Sequence, residues 1–302
     1  MQRPADRGVV TVQAVSYGAA ASQGEPTLVA EHELVIEEPL EIRVAGEALA
    51  LTMRTPGDDR YLALGFLYSE GVIAGLHDVG SVYHCGRTDD PAYGNAIEVT
   101  PGPGARLDLD RLARTKRVGS TTSACGVCGR DGIDDLLARL PRRETAGSRI
   151  PAGLLRRVPE LLLQGQALFA RTGGLHAACA LSQTGELLAQ AEDVGRHNAV
   201  DKVVGRLLCA GALDNAITGP HAGLEPHAAT RPHVLAVSGR ASFELVQKAA
   251  MAGFCCLASV SAPSSLAVAT ADAAGLTLAS FVREGRFTLY AHPEQVHEQS
   301  HR

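Results

Sequence analysis

His233-Val234-Leu235-Ala236-Val237-Ser238-Gly239-Arg240-Ala241-Ser242 reads as a buried strand that runs into a polar turn and then a helix cap. Four apolar residues follow one another with no polar alternation, the pattern of a strand covered on both faces. Ser242 is a helix N-cap, and the helix it opens reaches Ala252. Working toward the C-terminus, Phe254 to Val260 is a second buried strand, and Ser264 caps an alanine-rich helix that Gly275 ends. Leu276 to Val282 is the last core strand.

Toward the N-terminus, Leu175-His176-Ala177-Ala178-Cys179-Ala180-Leu181 and Glu186-Leu187-Leu188-Ala189-Gln190-Ala191 are strands joined by the turn Gln183-Thr184-Gly185. Val200, Val203, Val204, Leu207 and Leu208 mark a helix. Pro159 is placed to open a further helix at its first position, with Leu161, Leu162, Leu168 and Phe169 on one face. Two paired strands followed by repeated helix–strand units predict an α/β layer fold over residues 151–302.

Ahead of it, Glu33 to Val44 and Leu49 to Arg54 alternate as strands, and Thr55-Pro56-Gly57-Asp58-Asp59 is a turn that also offers a helix N-cap. Tyr61 to Gly71 has helical spacing and a glycine stop. A strand pair near Val79–His84 and Ala96–Thr100 completes a small α+β domain over residues 27–112. Residues 1–26 are rich in Ala, Gly and Gln without a period and read as a disordered leader. Residues 113–150 form a basic linker.

Composition narrows the classes. The chain has 302 residues, 45% of them hydrophobic, but no Trp and only 4% aromatics, so its cores are built from Leu, Val, Ala and Ile. A net charge of -5 argues against bulk nucleic-acid binding, which rests on many phosphate contacts. No apolar run approaches the length that spans a bilayer, and the N-terminus lacks an export signal pattern. Seven cysteines, an odd number, fit a reduced cytoplasm better than a disulfide scaffold.

Two of those cysteines stand in Ser120-Thr121-Thr122-Ser123-Ala124-Cys125-Gly126-Val127-Cys128-Gly129. The run is small and hydroxyl-rich, so it reads as a mobile surface loop whose thiols a partner can reach. From Arg111 to Arg157 the chain holds eleven Lys and Arg against four acids. That excess lowers thiol pKa and draws an anionic partner. A Cys-x-x-Cys pair admits three readings: half a zinc site, a thiol–disulfide couple, or a persulfide-carrying nucleophile with a neighbouring thiol. A zinc-binding structural module needs more ligands, and the adjacent Cys255 and Cys256 point to opposite faces of a strand. A thiol-disulfide oxidoreductase normally opens a helix with this motif, not a Gly/Ser/Thr loop.

In such a sheet, ligands gather where strand ends feed helix N-termini. Three such junctions carry polar residues with no evident packing role: Glu192 to Lys202, Ser238-Gly239-Arg240-Ala241-Ser242, and Ser261-Ala262-Pro263-Ser264-Ser265. Arg196 and Arg240 are suited to clamp phosphate bidentately, and His197 is an acid/base candidate. Only three of the 28 basic residues are lysines; Lys202 ends the first of these segments and Lys248 lies in the helix that follows the second.

Taken in order, these segments resemble the FdhD family, the sulfur-carrier accessory proteins of formate dehydrogenase. The likeness runs from about Leu49 to Pro293 through Met53-Arg54-Thr55-Pro56-Gly57-Asp58-Asp59, Leu64-Gly65-Phe66-Leu67, Cys125-Gly126-Val127-Cys128-Gly129, Thr172-Gly173-Gly174-Leu175-His176-Ala177-Ala178, Glu192 to Lys202, Ser238-Gly239-Arg240 and Ser261-Ala262-Pro263. It implies a cytidine-deaminase-like α/β/α domain after the smaller one, without deaminase chemistry, because no His-x-Glu precedes a Pro-Cys-x-x-Cys. It implies a sulfurtransferase that takes sulfur from a cysteine desulfurase as a persulfide on Cys125, with Cys128 assisting. The sulfur passes to the molybdenum bis(guanine dinucleotide) cofactor, carried as cargo, before that cofactor enters formate dehydrogenase. Cofactor contacts are then expected from Arg196, His197, Asn198, Lys202, Ser238, Gly239, Arg240, Ser261, Ala262 and Pro263, and from the final strand, Phe281-Val282-Arg283-Glu284-Gly285-Arg286. The expected setting is cytoplasmic, and a homodimer is an open expectation.

Overall fold

The computed structural model describes residues 8–16, 28–86, 93–105, 107, 137, 140–141, 149–213 and 231–298. The expectations for the basic linker and for Cys125 and Cys128 lie outside the described residues.

Val9–Ser16 (β1) and Leu28–Val35 (β2) form an antiparallel two-stranded sheet. Glu38–Val44 (β3), Glu47–Arg54 (β4), Val79–His84 (β5) and Ala96–Pro101 (β6) form a second sheet in the order β4-β3-β6-β5, with the helix Asp59–Ser69 (α1) between β4 and β5. Ile150–Pro151 (β7) leads into the helices Ala152–Leu163 (α2) and Ala167–Thr172 (α3). Then come His176–Leu181 (β8), Leu187–Asp193 (β9), the helix Arg196–Cys209 (α4), Val234–Val237 (β10), the helix Phe243–Met251 (α5) and Cys256–Ser259 (β11). The helix Ser265–Ala274 (α6), Thr277–Arg283 (β12), Arg286–Ala291 (β13) and Val296–His297 (β14) close the chain, β14 pairing with β7.

The α/β class read from the sequence is the fold found. Six strands make one sheet in the order β13-β12-β11-β10-β8-β9; β10, β11 and β12 run parallel and the others antiparallel to their neighbours. Residues of β10 divide between two cores as strand geometry requires: Leu235 and Val237 join α1, α4, α5 and α6, whereas Val234 and Ala236 join α2. Helix cover on both faces is why this strand is apolar throughout.

The two halves of the chain share a core rather than standing apart. Helix α1 of the N-terminal half crosses α4 of the C-terminal half at Gly65 and Gly205. A Cβ at Gly65 would lie 1.8 Å from the Asp201 carbonyl oxygen, and one at Gly205 would lie 2.0 Å from that of Tyr61. Leu62, Ala63, Leu67, Val200, Val203, Val204 and Leu207 then fuse into a single buried cluster.

Three local expectations are corrected. Pro159 does not open a helix; it lies inside α2, which starts at Ala152. Leu154, Leu155, Val158, Leu161 and Leu162 are all buried on one face, and their burial outweighs the roughly 3 kcal/mol that an internal proline costs. Leu168 and Phe169 belong to α3, because α2 stops at Leu163, where the Gln190 side-chain amide donates to the Leu162 carbonyl at 2.7 Å. The segment read as a disordered leader holds β1. A lone hairpin is marginal in water, but this one is fastened at its base: Ile36 N donates to the Gly8 carbonyl at 2.8 Å, and Glu33 pairs with Arg171 of α3.

Candidate functional site

The N-terminus of α4 is set by the carboxylate of Asp193, at the end of β9 and fully buried. Asp193 accepts from Gly195 N at 2.8 Å, from the Asn198 side-chain amide at 2.9 Å and from Thr55 N at 3.2 Å, and it pairs with Lys202 Nζ at 2.6 Å. The end of β4 closes the cluster. Asn198 Nδ2 donates to the Met53 carbonyl at 2.7 Å, Lys202 Nζ to that of Thr55 at 3.0 Å, and Val194 N to Thr55 Oγ1 at 3.2 Å. The two motifs Met53-Arg54-Thr55 and Asp193 to Lys202 are therefore two sides of one buried knot. Every buried polar group in it has a partner, which is what makes such a network rigid.

Asn198 and Lys202, expected to touch cofactor, spend their polar atoms inside this knot. Arg54, between Met53 and Thr55, works likewise: its buried guanidinium donates to both oxygens of Asp59 at 2.9 and 3.2 Å, to Glu38 at 3.1 Å and to the Gly94 carbonyl at 2.9 Å. A second buried pair, Lys248–Asp201 at 2.8 Å, ties α5 to α4. Burial works against the Lys248 charge, but Asp201 and Glu70 outweigh it and raise its pKa. Sequence reading missed these roles for Asp193, Thr55 and Arg54. The signals were the place of Asp193 in a polar strand-to-helix junction and that of Arg54 and Thr55 where a strand meets a turn.

Along the knot's outer side lies a rim. Arg196 begins α4, half-buried, and its Nε is shielded from solvent without a hydrogen-bond partner among the described residues. A Cβ on Gly239 would lie 3.6 Å from Arg196 Cδ and 3.4 Å from His176 Nδ1, so the glycine leaves a gap between the two. The Gly239 carbonyl accepts from Ser259 Oγ at 2.7 Å, and the Ser261 carbonyl lies 3.1 Å from the same hydroxyl oxygen. Phe281 N donates to that same carbonyl at 3.1 Å. Ala241 pairs with Pro263, and Ala241 N donates to the Ala262 carbonyl at 3.1 Å. The three strand-to-helix junctions and the last core strand thus follow one another along one end of the sheet.

Within the rim, Ser238 accepts from Ala177 N at 2.9 Å and keeps its own hydroxyl proton to donate. Arg240 is exposed. His197 is engaged by Glu244 at 2.6 Å and by Ser242 Oγ at 3.3 Å, and its hydrogen bond is the main reason the Glu244 carboxyl titrates below the usual range. Phe281 is exposed and sits in the left-handed region at φ 53°, where a register shift separates Ser280 from Arg283. Non-glycine residues held there are strained, and such strain gathers at functional sites. Val282 is fully buried in the second core, so its side chain faces away from the rim. Arg283, Glu284, Gly285 and Arg286 make the exposed β12–β13 turn. Beside it is a cleft of about 530 Å³ lined by Arg156, Phe281, Arg283 and Arg286.

The described cysteines are poorly suited to nucleophilic work. Cys179, Cys255 and Cys256 are buried, and Cys85 and Cys209 are half-buried. Burial pushes the Cys179 thiol up to about 12 and raises Cys85, Cys209 and Cys256 as well. A reactive thiol needs a lowered pKa and exposure. Among the described residues no group of three His, Cys, Asp or Glu is placed to hold a metal ion, and no helix is long and apolar enough to cross a membrane.

Comparison with known proteins gives this geometry a context. The FdhD/NarQ family model matches residues 35–297. A protein of Anaeromyxobacter dehalogenans named sulfur carrier protein FdhD is 54% identical over 263 residues, 87% of this chain and 88% of the relative. One of the same name from Streptomyces coelicolor is 48% identical over 267 residues, with the same coverage. A crystal structure described as a formate dehydrogenase accessory protein from Desulfotalea psychrophila superposes with a TM-score of 0.67, covering 96% of this chain and 99% of that one. At 22% identity that likeness is one of fold.

Proposed function

The chain belongs to the FdhD/NarQ family, and from that premise we propose that it is a sulfur carrier serving formate dehydrogenase. The observation that carries the reading is 54% identity to a sulfur carrier protein across 87% of the chain, within a family match that spans the Cys125-Gly126-Val127-Cys128 motif. In this reading the Cys125 thiolate attacks the outer sulfur of a cysteine desulfurase persulfide. The desulfurase thiolate leaves, and Cys125 holds the sulfur as a persulfide. Cys128 assists its release to the molybdenum bis(guanine dinucleotide) cofactor. The buried, high-pKa thiols among the described cysteines support assigning the chemistry to this pair.

The cofactor is cargo, bound along the rim from Arg196 through Ser238-Gly239-Arg240 and Ser261-Ala262-Pro263 to Phe281 and the Arg283–Arg286 turn. Arginines suit its phosphates because the guanidinium fork matches two oxygens at once. Asn198 and Lys202 serve in this reading by fixing the end of α4 that presents Arg196. Charging the protein with a desulfurase and cysteine, then weighing it, tests the proposal. The wild type should gain the mass of one sulfur atom, and Cys125→Ala should gain none while keeping the wild-type fold. Equal sulfur uptake by Cys125→Ala would refute the assignment.

A further inference from the structure

A second cleft, of about 560 Å³, lies between α2, α3 and the start of β8. One of its walls belongs to the body of the fold: Leu162 lies in the second core and Val260 packs against that core. The facing wall does not. Phe169 rides on α3, Gly173 is the C-cap of that helix and Gly174 follows it. No residue of α3 is buried, and none of the described residues of β1, β2 and α3 joins either apolar core. We propose that β1, β2 and α3 move as one flap over this cleft, and that the Glu192 carboxylate is the latch that holds the flap closed.

Several contacts make the flap one body. The strands β1 and β2 pair over their whole length, and Glu33 of β2 pairs with Arg171 of α3. A Cβ on Gly8, at the base of β1, would lie 3.0 Å from Leu168 Cδ1, and one on Gly174 would lie 3.1 Å from Val35 Cγ1. Helix and hairpin therefore touch closely on both sides. The same Gly8 carbon would lie 3.2 Å from Thr55 Cγ2, which sets the pivot of the hairpin against the buried knot. At the helix, the pivots are Gln166, a buried N-cap that also lines the cleft, and Gly173 at φ 65°. Segments with few buried apolar contacts open locally, well below the free energy of global unfolding.

Glu192 ends this freedom at one point. Its carboxylate accepts from Leu168 N at 3.0 Å and from Phe169 N at 2.8 Å. Both N–H groups belong to the first turn of α3, where the helix itself offers no acceptor. A carboxylate there also meets the positive end of the helix dipole, and hydrogen bonds to a charged group are the stronger kind. The backbone of Glu192 is fixed, because its carbonyl accepts from Lys202 Nζ at 3.4 Å and Asp193 follows it. Releasing the latch frees two N–H groups at the start of a helix with no buried residue, so water satisfies them and the cores stay closed. It draws Phe169 and Gly173 away from Leu162 and opens the way to His176, which lines the cleft beside Gly239.

Native-state amide exchange of the full chain, read together with diethyl pyrocarbonate labelling of His176, tests the flap. Burial first, then Arg196 and His197, lower the His176 pKa, so at neutral pH its imidazole is uncharged, the form that reacts. In the wild type, the hydrogen-bonded amides of α3, β1 and β2 should exchange through one opening, with protection equal within about threefold and at least about a hundredfold weaker than in β10. Glu192→Gln should speed exchange in all three by at least about tenfold, equivalent to about 1.4 kcal/mol, with β10 unchanged. Labelling of His176 should speed up by a similar factor. Unrelated protection in α3 and the hairpin overturns the single flap. Unchanged exchange in Glu192→Gln, or an equal rise in β10, overturns the latch. Faster amide exchange with unchanged His176 labelling overturns the control of the cleft.

Discussion

Asp193 and Lys202 meet at 2.6 Å with side chains 0% and 2% exposed, and around them the two halves of the chain are bonded together. Thr55 contributes its N–H, its hydroxyl and its carbonyl to this pair and its neighbours. Lys202→Met should therefore do more than delete one contact. It leaves a buried carboxylate short of its cation, which costs about 3–5 kcal/mol. Urea denaturation should show that loss, and a fall below 1 kcal/mol would mean the pair is dispensable.

The α1–α4 crossing predicts a steric effect with a built-in control. Gly65→Ala places a methyl where the Asp201 carbonyl stands, so the helices must separate, at about 3 kcal/mol or more. Gly153→Ala, in α2 with no atom of the described residues within 4 Å of the added carbon, should be neutral or stabilise by up to about 1 kcal/mol. Thermal unfolding of the two variants should move in opposite directions or leave Gly153→Ala unmoved; equal losses would contradict the crossing.

His292 gives a pH dependence. Burial opposes its charge, but the Asp272 carbonyl at 3.1 Å and Glu294 at 2.9 Å outweigh that and raise its pKa above 6.5. The raised value means that its stabilisation is complete below pH 6.5 and disappears as pH climbs through the folded value. His292→Asn, which tolerates the left-handed backbone at φ 49°, should cost more at pH 5.5 than at pH 8.5. A cost independent of pH would show that the charge contributes nothing.

Arginine at the rim predicts the response of nucleotide binding. Arg196→Ala or Arg240→Ala should weaken GDP by about 1.5–3 kcal/mol for each charged hydrogen bond removed. Calorimetry in which both variants bind as wild type would place the phosphates elsewhere.

For the thiols, Cys128→Ala should reduce activation of formate dehydrogenase no more than Cys125→Ala does. A clearly larger loss in Cys128→Ala would reverse their order.

The sequence by itself determined five strands of the six-stranded sheet and the positions of the strand-to-helix junctions. Apolar runs such as Val234–Val237, serine caps such as Ser264, whose hydroxyl accepts from Ala267 N at 3.1 Å, and the Gly275 stop are local signals, legible because each rests on backbone geometry within a few residues. Tertiary structure alone decided what the polar residues of those junctions do. Arg196, Asn198 and Lys202 lie on one short polar stretch, yet Asn198 and Lys202 turn inward to Met53 and Thr55, more than 140 positions away in the chain, while Arg196 Nε has no partner among the described residues. Likewise, Pro159 lies mid-helix because its neighbours Val158, Leu161 and Leu162 join the second core, and the β1–β2 pair is held to α3 through Glu33 of β2 and Arg171, far apart in the chain. A residue type states which bonds it can make; only the packing of remote segments determines which of those bonds are already taken.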